Sequence, residues 1–281
     1  MKVGFIGAGR MGAPMVYRLA RAGHDVRVLG RSPEKRSALA ELGTTAVGDL
    51  AQVAGGADAV VVCVFTDQQV RTVCLDGGLL GAMVAGSVLV VHTTGSPRTV
   101  EDLAAVGTDR DVAVVDAPVS GGPRDIAAGA LTVFAGGSVD AVAQVQPVLS
   151  AYADPLLHVG ALGAGQIVKL VNNTLFAASI GAVAAGVELA GRLGVGEARL
   201  LAALQHGSAG RALAGIAARG SVTSFVDVAG GFVGKDIEVV RAVLADLGGD
   251  LGVLENLVTA GLDAGSRADT ANVVVPGRHY C

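Results

Sequence analysis

The first half of this chain repeats one pattern. A short, valine-rich apolar run closed by Gly, Asp or Pro is followed by a stretch with helical spacing. Such runs occupy residues 3–6, 26–29, 59–64, 88–91, 112–116 and 131–135, and helical spacing fills residues 11–22 and 33–42. The runs are apolar throughout rather than at alternate positions, which predicts strands buried on both faces, as in a parallel sheet. Strand–helix–strand order then predicts an α/β fold with an open, doubly wound, Rossmann-type sheet. The strand pattern stops near residue 160. Residues 165–193 are Ala-rich and free of Pro, predicting one helix on the order of 40 Å long, enough to leave a first domain and found a second. Residues 197–270 read as shorter helices broken by Gly. The expected organisation is a doubly wound domain over 1–162 and an all-helical domain over 163–281, joined by the long helix.

Composition narrows the function. A formal charge of -4 leaves a mildly acidic surface, which argues against a protein held to nucleic acid by phosphate contacts. High apolar content with low net charge excludes a disordered chain. Cys63, Cys74 and Cys281 follow no metal or redox spacing, and Cys63 reads as a small buried hydrophobe. His24, His92, His158, His206 and His279 are scattered without ligand spacing, so no metal site is expected, and His92 reads as a core or loop histidine. A Gly-rich turn stands where a signal peptide would need its apolar core. The greasiest stretch carries Lys169, Asn172, Asn173 and Glu188, which a membrane helix rarely does. The expectation is a soluble, cytoplasmic protein with no membrane partner.

Gly7-Ala8-Gly9-Arg10-Met11-Gly12 matches G-x-G-x-x-G. At this glycine content such a string arises about once by chance, so its position carries the weight. It follows the first strand and opens the first helix, where Gly7 permits a tight turn, Gly9 lets a pyrophosphate approach and Gly12 lets helix and strand pack closely. The helix start adds N–H groups and a positive dipole end. An NAD site would place Asp or Glu at the end of the second strand. Here that end runs into Gly30-Arg31-Ser32-Pro33-Glu34-Lys35-Arg36, and Asp25 sits at the strand's other end. Arg31, Ser32, and Lys35 or Arg36 suit a 2′-phosphate, so NADP is favoured, with NAD as the alternative.

Three longer strings extend this reading. DAPVSGGPRDIAAGALTVFAGG spans 116–137, GAGQIVKLVNN spans 163–173 and GKDI spans 234–237. With the opening GFIGAGRMGAPMVYRLARAGHDVRVLGRS, they resemble, in order and spacing, the cofactor, substrate-binding, catalytic and late Lys-Asp signatures of the β-hydroxyacid dehydrogenase family. That family includes 3-hydroxyisobutyrate dehydrogenases and semialdehyde and glyoxylate reductases, and it shares ancestry with 6-phosphogluconate dehydrogenase. The resemblance implies an oxidoreductase passing a hydride between nicotinamide and a small 3-hydroxy acid or its semialdehyde or 2-oxo counterpart. It implies Lys169 as general acid and base, with Asn173 one turn on to bind the substrate oxygen or orient the lysine. Ser120, Gly121 and Gly122 would grip the substrate carboxylate, a turn whose hydroxyl and amides suit an anion. Lys235 would lie near nicotinamide and substrate, Thr94 beside the nicotinamide ribose, and Val64, Phe65 and Thr66 along the adenosine side.

Departures from the family pattern concern the substrate. Many members carry bulkier residues before the late lysine, where this chain has Gly230, Gly231 and Gly234. Three other readings remain open: a 6-phosphogluconate dehydrogenase-like enzyme, an imine reductase-like enzyme, or a non-catalytic NADP-binding regulatory module. The first would need a longer helical domain and a His-Asn-Gly run after the lysine, the second would lack Lys169, and the third need not keep Lys169, Ser120 and Asn173. The small residues of 180–190 predict a helix face for a second copy, and the resemblance implies a homodimer or homotetramer.

Overall fold

Every residue of β4 (Ala59–Val62) and β5 (Val88–Val91) is buried, and β1 (Lys2–Ile6) is exposed only at its first residue. Successive side chains of these strands point to opposite faces. Val3, Phe5, Val61 and Val90 belong to one apolar cluster, and Ile6, Val60, Val62, Leu89 and Val91 to another. The continuous valine runs are thus two cores sharing one backbone layer. The computed structural model describes residues 1–207, 214–216 and 218–264. Cys281, His279 and the expected helices beyond 264 lie outside the described residues.

The sheet continues with β2 (Asp25–Leu29), β3 (Thr45–Val47), β6 (Ala113–Asp116), β7 (Val119–Ser120), β8 (Leu131–Gly136) and β9 (Ala153–Gly160). Its order is β3-β2-β1-β4-β5-β6-β8-β7, with β9 paired to β8. Strands β1 to β6 pair in parallel. The sheet is mixed beyond them, because β8 runs antiparallel to β6 and β7 while β9 runs parallel to β8. Helices α1 (Gly12–Arg21), α2 (Pro33–Ala40), α7 (Pro123–Ala128) and α8 (Val139–Leu149) add Met15, Leu19, Leu39, Ile126 and Val145 to the first cluster. Helices α3 (Leu50–Ala54), α4 (Asp67–Arg71), α5 (Leu79–Ala82) and α6 (Pro97–Thr108) add Val53, Val70, Leu80 and Leu103 to the second. Helices cover both faces, which makes the first part a doubly wound α/β domain.

Side chains start the helices where the sequence supplies them. Ser32, Asp49, Thr66, Ser96 and Ser138 cap α2, α3, α4, α6 and α8, each accepting a backbone N–H of the first turn.

The chain divides into two compact units, Met1–Lys169 and Leu170–Cys281. The division falls inside α9 (Ala164–Arg192), whereas the sequence places it ahead of that helix. The second unit holds α10 (Glu197–Leu204), α11 (Val222–Asp246) and α12 (Leu254–Asp263). Its core joins Leu170, Ala177, Val233, Ile237 and Val258. Gly181 and Gly261 let α9 and α12 touch backbone to backbone, since a Cβ on either would overlap a carbonyl oxygen of the other helix.

Within 180–190, the segment expected to face a second copy, Ile180, Val183 and Ala190 are buried, the first two in the unit's own core, while Ala182, Ala185 and Leu189 are exposed. Ile167, Val171 and Leu175 are more than half exposed as well, at i, i+4 and i+8 on one helix face. Among the described residues α9 is the one helix long and apolar enough to cross a bilayer by length and composition. It also buries Gln166, Lys169, Asn173 and Thr174, polar groups that a lipid-facing helix does not carry without cost.

Candidate active site

Strand β1 has β2 on one side and β4 on the other, so chain connections leave it in opposite directions. That switch point is where an open α/β sheet forms a crevice at its carboxyl ends. The Gly7–Gly12 turn leaves β1 there. Gly7 sits at φ +98°, a left-handed conformation that favours glycine, and a Cβ on it would overlap the Cys63 carbonyl. A Cβ on Gly12 would overlap the Gly7 carbonyl, whereas nothing lies within 4 Å of where one on Gly9 would be. Two glycines are therefore required by the protein's own packing, and the third faces open space. No side chain caps α1, unlike the helices named above. Ala8 is buried, Gly9 and Arg10 are exposed and Met11 is half-buried. An uncapped helix start behind an open glycine fits a dinucleotide pyrophosphate.

At the end of β2, Arg31 and Lys35 are exposed. Ser32 accepts the Lys35 N–H at 3.2 Å, and its hydrogen bond to Glu34 holds that carboxyl below its usual range. Arg36 donates to the Gly30 carbonyl at 2.9 Å, so this guanidinium is tied to the main chain. Asp25 opens β2 and is remote from the turn. The exposed cations here are thus Arg31 and Lys35.

Beyond β4, the Thr93 hydroxyl donates to the Val64 carbonyl at 2.9 Å and accepts the Val64 N–H at 3.1 Å, joining the loops after β4 and β5. Thr66 and Gln69 cap α4 reciprocally, and Phe65 just before them is 63% exposed. Asp67 accepts from the Thr99 hydroxyl and the Ser96 N–H, a second tie between the two loops. Thr94 is half-buried at the end of β5.

Below this surface His92 is fully enclosed. Its Nδ1 meets the Ala117 carbonyl, an acceptor only, so Nδ1 carries the proton and Nε2 accepts from the Tyr152 hydroxyl at 2.7 Å. Burial pushes its pKa down to about 4. Burial pushes the Cys63 and Cys74 thiols up to about 12, which leaves neither poised as a nucleophile. Among the described residues no three His, Cys, Asp or Glu side chains converge as metal ligands.

The Ser120–Gly122 turn shows a feature that the sequence did not. Ser120 ends β7 and Gly122 precedes α7, but the Gly122 N–H already donates to Asp125 Oδ2 at 2.6 Å. Gly121, at φ +125°, lies against the same carboxylate. A substrate carboxylate reaching the Gly122 amide has to displace Asp125. Of the three candidates, Ser120 and Gly121 stay outside that interaction.

Lys169 is buried, on the second turn of α9. The start of this helix is held by a carboxylate distant in sequence. Asp116, at the end of β6, accepts the Gly163 N–H and the Gln166 N–H, both at 2.7 Å. Burial pushes its carboxyl above the usual range, against the pull of the Gly163, Gln166 and Gly165 amides. The Gln166 carboxamide accepts from Gly95 N–H and donates to the Thr93 carbonyl, both at 2.9 Å. Gly136 and Gly165 permit this nesting, because a Cβ on either would run into Asp116.

In the second unit Asn173 donates to Asp236 Oδ2 and accepts from Asn172 Nδ2 at 3.0 Å. Lys235 Nζ lies 2.7 Å from Asp236 Oδ1 as an ion pair without hydrogen-bond alignment. Asp236 is 3% exposed and joins Asn173 of α9 to Lys235 of α11. Sequence reasoning treated it only as a neighbour of Lys235. It also missed Asp116 and Gln166, although both lie inside the quoted strings.

Comparison with known proteins agrees with this geometry. The family described as the NAD binding domain of 6-phosphogluconate dehydrogenase matches residues 2–161. An NAD-dependent L-serine dehydrogenase of Pseudomonas aeruginosa is 33% identical over 74% of this chain and 70% of its own length. A 2-(hydroxymethyl)glutarate dehydrogenase of Eubacterium barkeri is 34% identical over 83% of this chain and 77% of its own. The solved structure of the Mycobacterium tuberculosis 3-hydroxyisobutyrate dehydrogenase with L-serine superposes with a TM-score of 0.82 at 28% identity, covering 95% of this chain and 94% of that one.

Proposed function

The chain belongs to the β-hydroxyacid dehydrogenase family of oxidoreductases acting on CH–OH groups, and from that premise we propose that it is an NADP-preferring dehydrogenase or reductase of a small 3-hydroxy acid and its semialdehyde or 2-oxo counterpart. The observation that carries the reading is Lys169, an amine buried on the second turn of a helix anchored to the carboxyl ends of the strands. Bound nicotinamide supplies the hydride chemistry. Lys169 delivers a proton to the carbonyl oxygen during reduction and takes it from the alcohol during oxidation. Asn173, its carboxamide held by Asp236 and Asn172, orients the reacting oxygen or the lysine. Ser120 and Gly121 hold the substrate carboxylate, with Gly122 joining once Asp125 is displaced, and Lys235 contributes charge to substrate and nicotinamide.

Gly7 to Gly12 with the start of α1 hold the pyrophosphate, Thr94 the nicotinamide ribose, and Val64, Phe65 and Thr66 the adenosine side. Preference for NADP rests on Arg31 and Lys35, the exposed cations after β2, with Ser32 between them. The exposed stripe Ile167, Val171 and Leu175 supports a homodimer or homotetramer.

The test is oxidation of NADPH, and separately NADH, followed at 340 nm against small semialdehydes and glyoxylate, with Arg31→Ala alongside. We expect turnover with NADPH. Loss of a charged hydrogen bond, worth about 1.5–3 kcal/mol, should cost Arg31→Ala about tenfold or more in kcat/KM for NADPH while sparing NADH. Turnover with NADH alone overturns the NADP preference and keeps the enzyme class.

A further inference from the structure

Thr94 is bracketed by one side chain. Gln166 Oε1 accepts the Gly95 N–H and Gln166 Nε2 donates to the Thr93 carbonyl, so the carboxamide pairs with the main chain on both sides of Thr94 as a neighbouring strand would. Gln166 is 1% exposed, and both bonds are buried. Its backbone N–H is held in turn by Asp116 at the end of β6. One residue on the first turn of α9 therefore grips the ends of β5 and β6 together. Lys169 follows three positions later on the same face of the helix, where a rigid first turn transmits any shift of Gln166 to the amine.

We propose that Gln166 is a positioning residue, whose carboxamide clasp sets the first turn of α9, and with it Lys169, at a fixed height against the Thr94 loop. The inference rests on the roles given above to Lys169 and Thr94, and it explains why a buried amide stands where helix packing alone would accept an apolar side chain. The clasp makes no contact with substrate. It holds the proton-transferring group and the cofactor-side loop in one frame, and a displacement of about 1 Å between such groups costs on the order of a hundredfold in rate.

The test compares wild type, Gln166→Met, Gln166→Glu and the core variant Val145→Ala, which removes buried volume on α8 and leaves every hydrogen bond of the clasp in place. Gln166→Met keeps the volume and removes both bonds. Gln166→Glu keeps an acceptor for Gly95 and loses the donor to Thr93 at neutral pH, and it serves as the second probe should the Met variant not fold. Two quantities are read: kcat with KM for cofactor, and the rate at which an amine reagent labels Lys169 in the cofactor-free protein, followed by peptide mass spectrometry. The proposal expects Gln166→Met to lose about tenfold to a hundredfold in kcat with cofactor KM nearly unchanged. Lys169 should label severalfold faster, Gln166→Glu should fall between, and Val145→Ala should change neither quantity. Wild-type kcat and wild-type labelling in a folded Gln166 variant overturn it, as does an equal change in Val145→Ala. If Lys169→Ala retains turnover, the catalytic reading fails, and the labelling comparison still decides the clasp.

Discussion

His92 shows how one enclosed side chain links packing to pH. Its neutral ring is bonded at both nitrogens, to the Ala117 carbonyl and the Tyr152 hydroxyl. Protonation would set an N–H against the hydroxyl's proton inside an apolar cluster. The folded-state pKa, about 4, lies below the ordinary 6.5, so between these values the unfolded chain binds more protons. The stabilisation is complete above about pH 6.5 and is lost as pH falls toward 4, with a slope of at most about 1.4 kcal/mol per pH unit. Urea unfolding at pH 7 and pH 5 should therefore show a larger loss of stability in wild type than in His92→Asn. Equal losses would show that carboxylates elsewhere carry the acid sensitivity. The sequence identified His92 as a core or loop histidine from the lack of a partner pattern. It held no sign of Tyr152, which lies sixty positions away. Asp116 and Gln166 were illegible for the same reason, since their partners are 47 to 73 positions distant. Residue type alone does not reveal which distant amide a buried carboxylate meets.

At the scale of elements, legibility followed burial. Strands β1, β4 and β5 were plain because both faces are covered and, after Lys2 at the start of β1, no position is polar. Strand β9 was missed because half of its residues are exposed and it contains Pro155, so it has neither a continuous apolar run nor a clean alternation. Strands β3 and β7 are three and two residues long, too short for any period to register. The long helix was legible from its composition, but which of its faces is exposed was not, because small residues pack as readily inside a core as against a partner.

Two helix glycines make a paired test. A Cβ on Gly181 would overlap the Leu257 carbonyl of α12, while Gly231 of α11 has nothing within 4 Å. Gly181→Ala should cost about 1–3 kcal/mol through overpacking, and Gly231→Ala should stabilise by up to about 1 kcal/mol through helix propensity. Thermal unfolding of the two variants checks the signs. Destabilisation by Gly231→Ala would mean that the open space belongs to another part of the protein.

For the molecule as a whole, α9 is the element that both units share. The doubly wound unit brings its glycine turn, its basic turn and the Thr94 loop to the carboxyl ends of parallel strands. The same helix that carries Lys169 at the end of that unit carries Asn173 at the start of the next. Family membership, the fold class and the nucleotide-binding character were all readable from ordered motifs, since glycine turns and their neighbours are local in sequence. Substrate identity was not, because contacts such as that of Asp236 with Asn173 form only through long-range packing. The central claim is that Lys169 moves the proton. Its most direct test is Lys169→Ala, with turnover of the best substrate at 340 nm measured beside NADPH binding by fluorescence titration. We expect a fall in kcat of about 10²–10⁴-fold with the NADPH Kd within a few-fold of wild type. Undiminished turnover in that variant would contradict it.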